Sequence, residues 1–330
     1  MKRFLSLALC LILACGALVL SGCGEKQNEP DTTLKFGAGV YASTPATTDA
    51  TADKEGTGKV DITFAAVSVD ADGKVVACAL DTASNTVKFT ADGKALANES
   101  FSTKYELGDS YSMVAYGGAK QEWYKQADAF AAVVKGKTLA EIKALVAEGQ
   151  KGNDEVLSAG CTIMISEFVN AIDKAFAALA DSDVTADNTL KVTAYTEQTC
   201  TDAIEDKDGT NKVSTTVFAA AVDADGKVVA SKSDCVEVTF SFDTLGVSTL
   251  DTSKAVASKR EQGTAYGMVA YGGSAKEWFE QADAFDAACV GKTASEITGL
   301  MAEDGRGTDS LKAAGCTVYV TGFVKAASKI

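Results

Sequence analysis

Residues 111–142, YSMVAYGGAKQEWYKQADAFAAVVKGKTLAEI, return at 266–297 as YGMVAYGGSAKEWFEQADAFDAACVGKTASEI, with no gap and with 20 of 32 positions identical. A match of that length makes the chain a tandem repeat, so one supersecondary unit has to be built twice. The flanking segments align at slightly different offsets, which places the insertions in loops. The two copies then span 34–181 and 182–330, joined by a linker over Asp181–Thr189. Each is long enough to bury a core.

The pattern within a copy predicts an α+β fold, with an antiparallel β-meander first and two or three packed helices second. In the first copy, strands are expected at Leu34–Tyr41 and Val60–Val69. A turn at Asp70-Ala71-Asp72-Gly73 leads to a return over Lys74–Leu80, and a further pair of strands starts at Thr86–Thr90. Ala119, Trp123, Ala127, Phe130, Ala131 and Val134 then fall at helical spacing and end at Gly136. Thr138-Leu139-Ala140-Glu141 reads as a capping box, and Thr293-Ala294-Ser295-Glu296 repeats it. The run Cys161–Ile165 reads as a strand, and Ser166 as the cap of a last helix.

The head of the chain is of another kind. Lys2 and Arg3 precede an apolar run over Phe4–Leu20, closed by Leu20-Ser21-Gly22-Cys23. A short apolar stretch ending in small residues is a secretory signal, not a membrane span. The Leu-Ser-Gly-Cys ending resembles the bacterial lipoprotein box. That resemblance implies a signal peptide over 1–23, acylation of Cys23 with palmitate among the chains, and a tether over 24–33. It implies a protein anchored in lipid at the outer face of the cytoplasmic membrane.

Composition narrows the chemistry. The net charge is −14, with the acidic residues spread along the chain, which argues against nucleic acid as a partner. There is no histidine, so Ser-His and Cys-His nucleophile pairs and His-ligated metal sites are excluded. No base–nucleophile pair is visible, which points to a carrier or binding module rather than an enzyme. Of nine cysteines, Cys78, Cys161, Cys200, Cys235, Cys289 and Cys316 lie outside the head of the chain. Only Cys161 and Cys316 are repeat partners and no C-x-x-C occurs, so no shared disulfide framework is expected. Spacing leaves open a bridge between Cys200 and Cys235. The Asp-Ala-Asp-Gly runs place a lysine at the fifth position of a would-be calcium loop, so they read as turns, and no metal is expected.

Two features remain. Tyr111, Tyr116, Tyr266 and Tyr271 precede the helix in their copies and are candidates to line a planar ligand. Ala159-Gly160-Cys161-Thr162 returns as Ala314-Gly315-Cys316-Thr317, each ahead of a helix with Phe168-Val169 or Phe323-Val324. Here the chain resembles the covalent FMN-binding domains of bacterial extracytoplasmic electron carriers, in which a Ser-Gly-Ala-Thr motif lies just ahead of the C-terminal helix. It is similar as well to FMN-binding-like repeats of clostridial-type lipoproteins with K-E-W and G-K-T signatures. In this sequence cysteine stands for the motif's alanine and alanine for its serine. The resemblance implies FMN as cofactor, Thr162 and Thr317 as phosphoester acceptors, and a redox partner protein. The alternative is a flavin-free surface lipoprotein that binds a small ligand or a protein.

Overall fold

The structure is a computed structural model and describes residues 33–330. The signal peptide expected at 1–23, its Cys23 and the 24–33 tether up to residue 32 lie outside the described residues. The chain is a mixed α+β protein with two antiparallel sheets and flanking helices. The strands of the first half are β1 (Leu34–Ala42), β2 (Ala46–Thr48), β3 (Gly56–Val69), β4 (Val75–Phe89) and β5 (Ala95–Leu96). The helices α1 (Lys104–Leu107), α2 (Trp123–Val134), α3 (Leu139–Lys143), α4 (Asp154–Ser158) and α5 (Ser166–Ala177) follow. Next come β6 (Ala180–Val184), β7 (Thr189–Thr201), β8 (Gly209–Val222) and β9 (Val228–Phe242). The helices α6 (Lys259–Gln262), α7 (Trp278–Cys289), α8 (Ala294–Thr298), α9 (Asp309–Ala314) and α10 (Thr321–Ala327) close the chain.

The first sheet runs β5-β4-β3-β1-β6, with β2 on β3, and the second runs β7-β8-β9. Residues 181–184, the start of the expected linker, fall in β6, which pairs with β1. The strands expected at 74–80 and 86–90 are one continuous strand, β4. Its polar middle (Asp81, Thr82, Asn85) is buried, so it shows no hydrophobic alternation. Cys161–Ile165 is not a strand. It leaves Gly160 at φ 101 and its amides bond singly, Cys161 to Val156 O and Ile165 to Gln150 O, with one isolated bridge between Met164 and Lys151 in place of a ladder. Ser166 does not cap α5. Ile165 holds that position, and the Ser166 hydroxyl donates to Gln150 Oε1 at 2.8 Å.

The layering follows from strands that are apolar on both faces. Ala65, Val67 and Val69 point to a core with α2 and α5, through Trp123, Phe130, Phe168 and Ile172. Phe218, Ala220 and Val222 do the same with α7 and α10. The alternate residues, Ile62 and Phe64 with Val213 and Val217, meet face to face between the sheets. Both sides of each sheet are thus buried, which is why 63–69 and 216–222 read as near-continuous small apolar runs. The described residues pack as one compact unit. The inter-sheet layer is closed by Phe89 and Phe242, stacked at 4.4 Å between centroids and 3° between planes. The ends interlock reciprocally: Ala203 N donates to Gly93 O and Ala50 N to Gly246 O. Gly93 and Gly246 have φ of 73° and 68°, and a Cβ on either would meet backbone of the facing loop within 3.0 Å.

The cysteines among the described residues are free. Cys200 and Cys235 cannot bridge, because they sit on β7 and β9, on opposite sides of β8, against Asn211 and Thr216. Asp70 Oδ1 accepts the amides of Asp72 and Lys74, and Asp223 Oδ1 those of Asp225 and Lys227, so both carboxylates brace turns. Among the described residues no group of His, Cys, Asp and Glu could hold a metal ion.

Candidate functional site

Trp123 and Trp278 open α2 and α7, behind the buried Glu122 and Glu277. Those two carboxylates accept the amides of Met113 and Val114, and of Met268 and Val269, which holds the preceding loops in place. The same construction sets Tyr111 and Tyr266 beside the tryptophans, and a lysine fits between the rings. Lys104 Nζ lies 5.5 Å from the centroids of both Tyr111 and Trp123. Lys259 Nζ lies 4.9 Å from Tyr266 and 5.5 Å from Trp278. Two of the four candidate tyrosines therefore line a cationic cage. Tyr116 and Tyr271 do not join them: they stand at loop tips, 91% and 92% exposed.

Thr162 and Thr317 are exposed, while their neighbours Cys161 and Cys316 are fully buried. Each threonine is held by a buried glutamine. The amide and hydroxyl of Thr162 both donate to Gln126 Oε1, at 2.8 and 3.0 Å, and those of Thr317 donate to Gln281 Oε1 at the same distances. The surroundings differ. Arg306 Nη1 donates to Thr317 O at 2.8 Å, and Lys276 Nζ reaches Ala314 O at 3.5 Å. The place of Lys276 is taken by Gln121 in the first copy. Two cations thus sit on backbone carbonyls at and near Thr317, where an anion such as a phosphate ester would find positive charge that the first copy's Gln121 does not supply.

The lysine cages part company at their carboxylate. In the first half the acid comes from helix α5: Glu167 Oε2 accepts the Thr63 hydroxyl at 3.2 Å, and Lys104 favours its ionised form. Burial, with Asp61 adding to it, nevertheless raises the Glu167 pKa. In the second half the residue at that place is Gly322, and the acid comes from strand β9 instead. Glu237 Oε1 lies 3.1 Å from Lys259 Nζ and 3.0 Å from Lys212 Nζ. Tyr266 Oη donates to Glu237 Oε2 at 3.5 Å. Burial opposes the charge on Glu237, but Lys259 and Lys212 outweigh it and hold its pKa low. Burial likewise opposes the charge on Lys259, and the neighbouring Cys235, Glu237 and Tyr266 push its pKa up regardless. Both groups are ionised at neutral pH. Burial raises the pKa of the Cys235 thiol, which favours the protonated form.

Where the Glu167 side chain would lie, the second half has a cavity of about 330 Å³. Its floor is Thr216, Cys235, Trp278, Gly322 and Phe323, and Glu197, Ser214, Glu237, Tyr319 and Thr321 form its rim, with Lys259 between. Thr317 is not among its walls. A Cβ added to Gly322 would lie 2.6 Å from Thr216 Oγ1, so any side chain there closes the space. The sequence carried one signal for this cavity: Ser166-Glu167-Phe168-Val169 aligns with Thr321-Gly322-Phe323-Val324, a glutamate facing a glycine within a helix. Glu237 had no such signal, because its counterpart is Ser84 in a strand whose register only the structure shows.

No protein-family model, curated protein or solved structure matches this chain.

Proposed function

We propose that the chain is a binding module made by copying one αβ unit, a meander followed by packed helices, with the boundary near residue 181. It is lipid-anchored through Cys23 at the outer face of the cytoplasmic membrane, and its second copy takes a small ligand in the cavity above Lys259. The observation that carries this is the exchange of Glu167 for Gly322: the acid that takes the Thr63 hydroxyl in one copy is absent from the other, where a cavity lies at that place. A cavity of this size, with an aromatic floor and a few convergent polar groups, is the usual form of a small-molecule site. The test is a library of small polar metabolites screened by melting temperature, with Gly322→Glu as the plugged control. Binding raises the melting temperature of the parent and leaves Gly322→Glu unmoved. A library without a hit, or a plugged variant that responds equally, ends this reading.

A second reading has its own support. Thr317 is exposed, with Arg306 and Lys276 on its own carbonyl and that of Ala314, which suits an FMN phosphoester, with Thr162 as a lesser acceptor and Tyr111, Tyr116, Tyr266 and Tyr271 as candidate ring partners. In that reading the protein is an extracytoplasmic electron carrier serving a redox partner, and the flavin supplies the redox chemistry. Co-expression with a flavin transferase then yields a yellow protein of increased mass, and Thr317→Ala removes most of the added mass. A colourless protein of unchanged mass ends it.

A further inference from the structure

The two cages, laid on one another, say which chemical group the cavity lacks. In the first half the Thr63 hydroxyl spends its hydrogen on the Glu167 carboxylate. The counterpart of Thr63 is Thr216, which is 8% exposed and lines the cavity. Its hydroxyl makes no hydrogen bond among the described residues, and the Gly322 position from which a carboxylate would have come lies directly beside it. That hydroxyl faces the cavity and is open to whatever fills it, and in the other copy the group that takes up the same hydroxyl is a carboxylate.

The charges add a second condition. Lys259 and Lys212 both pair with Glu237. Glu197, on the rim, forms no ion pair among the described residues. A lone carboxylate at Thr216 would face two glutamates, and a lone amine would leave Thr216 without a partner. A molecule with both groups satisfies the floor and the rim together.

Resting on the ligand-binding reading above, we infer that the cavity takes a small zwitterionic amino carboxylate of the α-amino acid class. Its carboxylate takes the place of the Glu167 carboxylate, accepting from Thr216 beside Lys259. Its ammonium donates to Glu197. Trp278 and Phe323 pack on its side chain. The first copy, in these terms, carries its own ligand group in covalent form.

The experiment is calorimetric titration of the full-length chain with the L-amino acids in turn. Each binder is then followed by its decarboxylated amine and its N-acetyl form, with glucose as the uncharged probe. The expected result is binding by at least one amino acid and a loss of about tenfold or more for both truncated forms, the range for a charge-assisted hydrogen bond. Thr216→Val loses affinity for the amino acid and not for its amine, and Glu197→Gln loses it for the amino acid and not for the N-acetyl form. Glu197 is exposed, so that variant serves even if Thr216→Val fails to fold. Glucose or a singly charged analogue binding as tightly as the amino acid overturns this inference and leaves a ligand site standing. Silence from the amino acids while other metabolites raise the melting temperature does the same. Silence from every compound overturns both.

Discussion

The first half brings Glu167, from a helix, near its cage lysine, while the second has glycine at that place and pairs its lysine with a glutamate from a strand. The lysine, tyrosine and tryptophan are the same in both, and so is the glutamate that braces the loop ahead of the tryptophan. What differs is the strand or helix that supplies the carboxylate, Glu167 from α5 or Glu237 from β9. A buried ammonium needs a counter-charge wherever it can be found. The comparison teaches that the two halves keep a carboxylate near the lysine but draw it from different elements, and only the second half brings it into direct contact.

A second contrast runs along the other side of α7, and it gives the largest expected effect. Arg260 pairs with the buried Asp286 at 2.9 Å and with Asp283 at 2.8 Å. Ser233 N also donates to Asp286 Oδ2 at 3.0 Å, and the Ser233 hydroxyl to its Oδ1. The first half has Tyr105, Ala131 and Leu80 at these places, with Tyr105 Oη 3.3 Å from Asp128 Oδ2. Arg260→Leu leaves Asp286 buried without its cation and is expected to cost about 3–5 kcal/mol in chemical denaturation. Changing Asp286→Ala, Ser233→Leu and Arg260→Tyr together, the residues of the first half, should recover most of it. If the triple variant is as weak as the single one, the two sides are not interchangeable packings of one unit.

Next in size is a pH effect confined to the first half. Asp81 Oδ1 accepts the amides of Thr82 at 2.6 Å and Tyr105 at 3.0 Å, but burial dominates and pushes its pKa up to about 7 from an ordinary 3.8. The fold therefore prefers the protonated acid. Its contribution to stability is complete below about pH 3.8 and is lost as pH rises through 7. Asp81→Asn should remove that decline and gain on the order of a few kcal/mol at pH 8 relative to the parent. Asp234, its counterpart, has Arg260 beside it to oppose the same burial. Asp234→Asn should flatten the pH profile less, and equal flattening by the two variants would break the contrast.

Smaller effects test where the halves agree. Thr138 and Thr293 both complete capping boxes, so Thr138→Ala and Thr293→Ala should each cost about 1 kcal/mol. Last come two ion pairs that cross between the halves as counterparts, Lys174 with Glu261 and Lys329 with Glu106 at 2.6 Å. Each partner is about a third exposed, so Lys174→Ala and Lys329→Ala should each cost less than about 1 kcal/mol, and less still in salt. A cost above 2 kcal/mol for either would mean that these pairs, not the apolar layer, hold the sheets together.

Much of each half was legible because its signals are local. The stripe of Trp123, Ala127, Phe130 and Val134 and the box at Thr138–Glu141 depend on residues within a few positions of one another. The misreadings are of contacts far apart in the chain. Residues 81–85 fall between two strands expected from the sequence, and among them Asn85 is buried with its Nδ2 donating to Thr215 Oγ1 at 2.8 Å, on the other sheet. Cys161–Ile165 has the composition of a strand, but among the described residues its ladder is a lone bridge of Met164 with Lys151. The cavity depends on one glycine in α10 facing a threonine in β8, a pairing that no periodicity reveals.

The face-to-face sheets carry a consequence of their own. A single half set free would present Ile62, Phe64, Val87 and Phe89 to water, an oily patch with no cover of its own. The surface that fits it is the matching face of another such half, with one aromatic ring lying on its twin as Phe89 lies on Phe242. Two freed halves are therefore expected to pair about a two-fold axis, each covering the other's patch as the halves do within one chain.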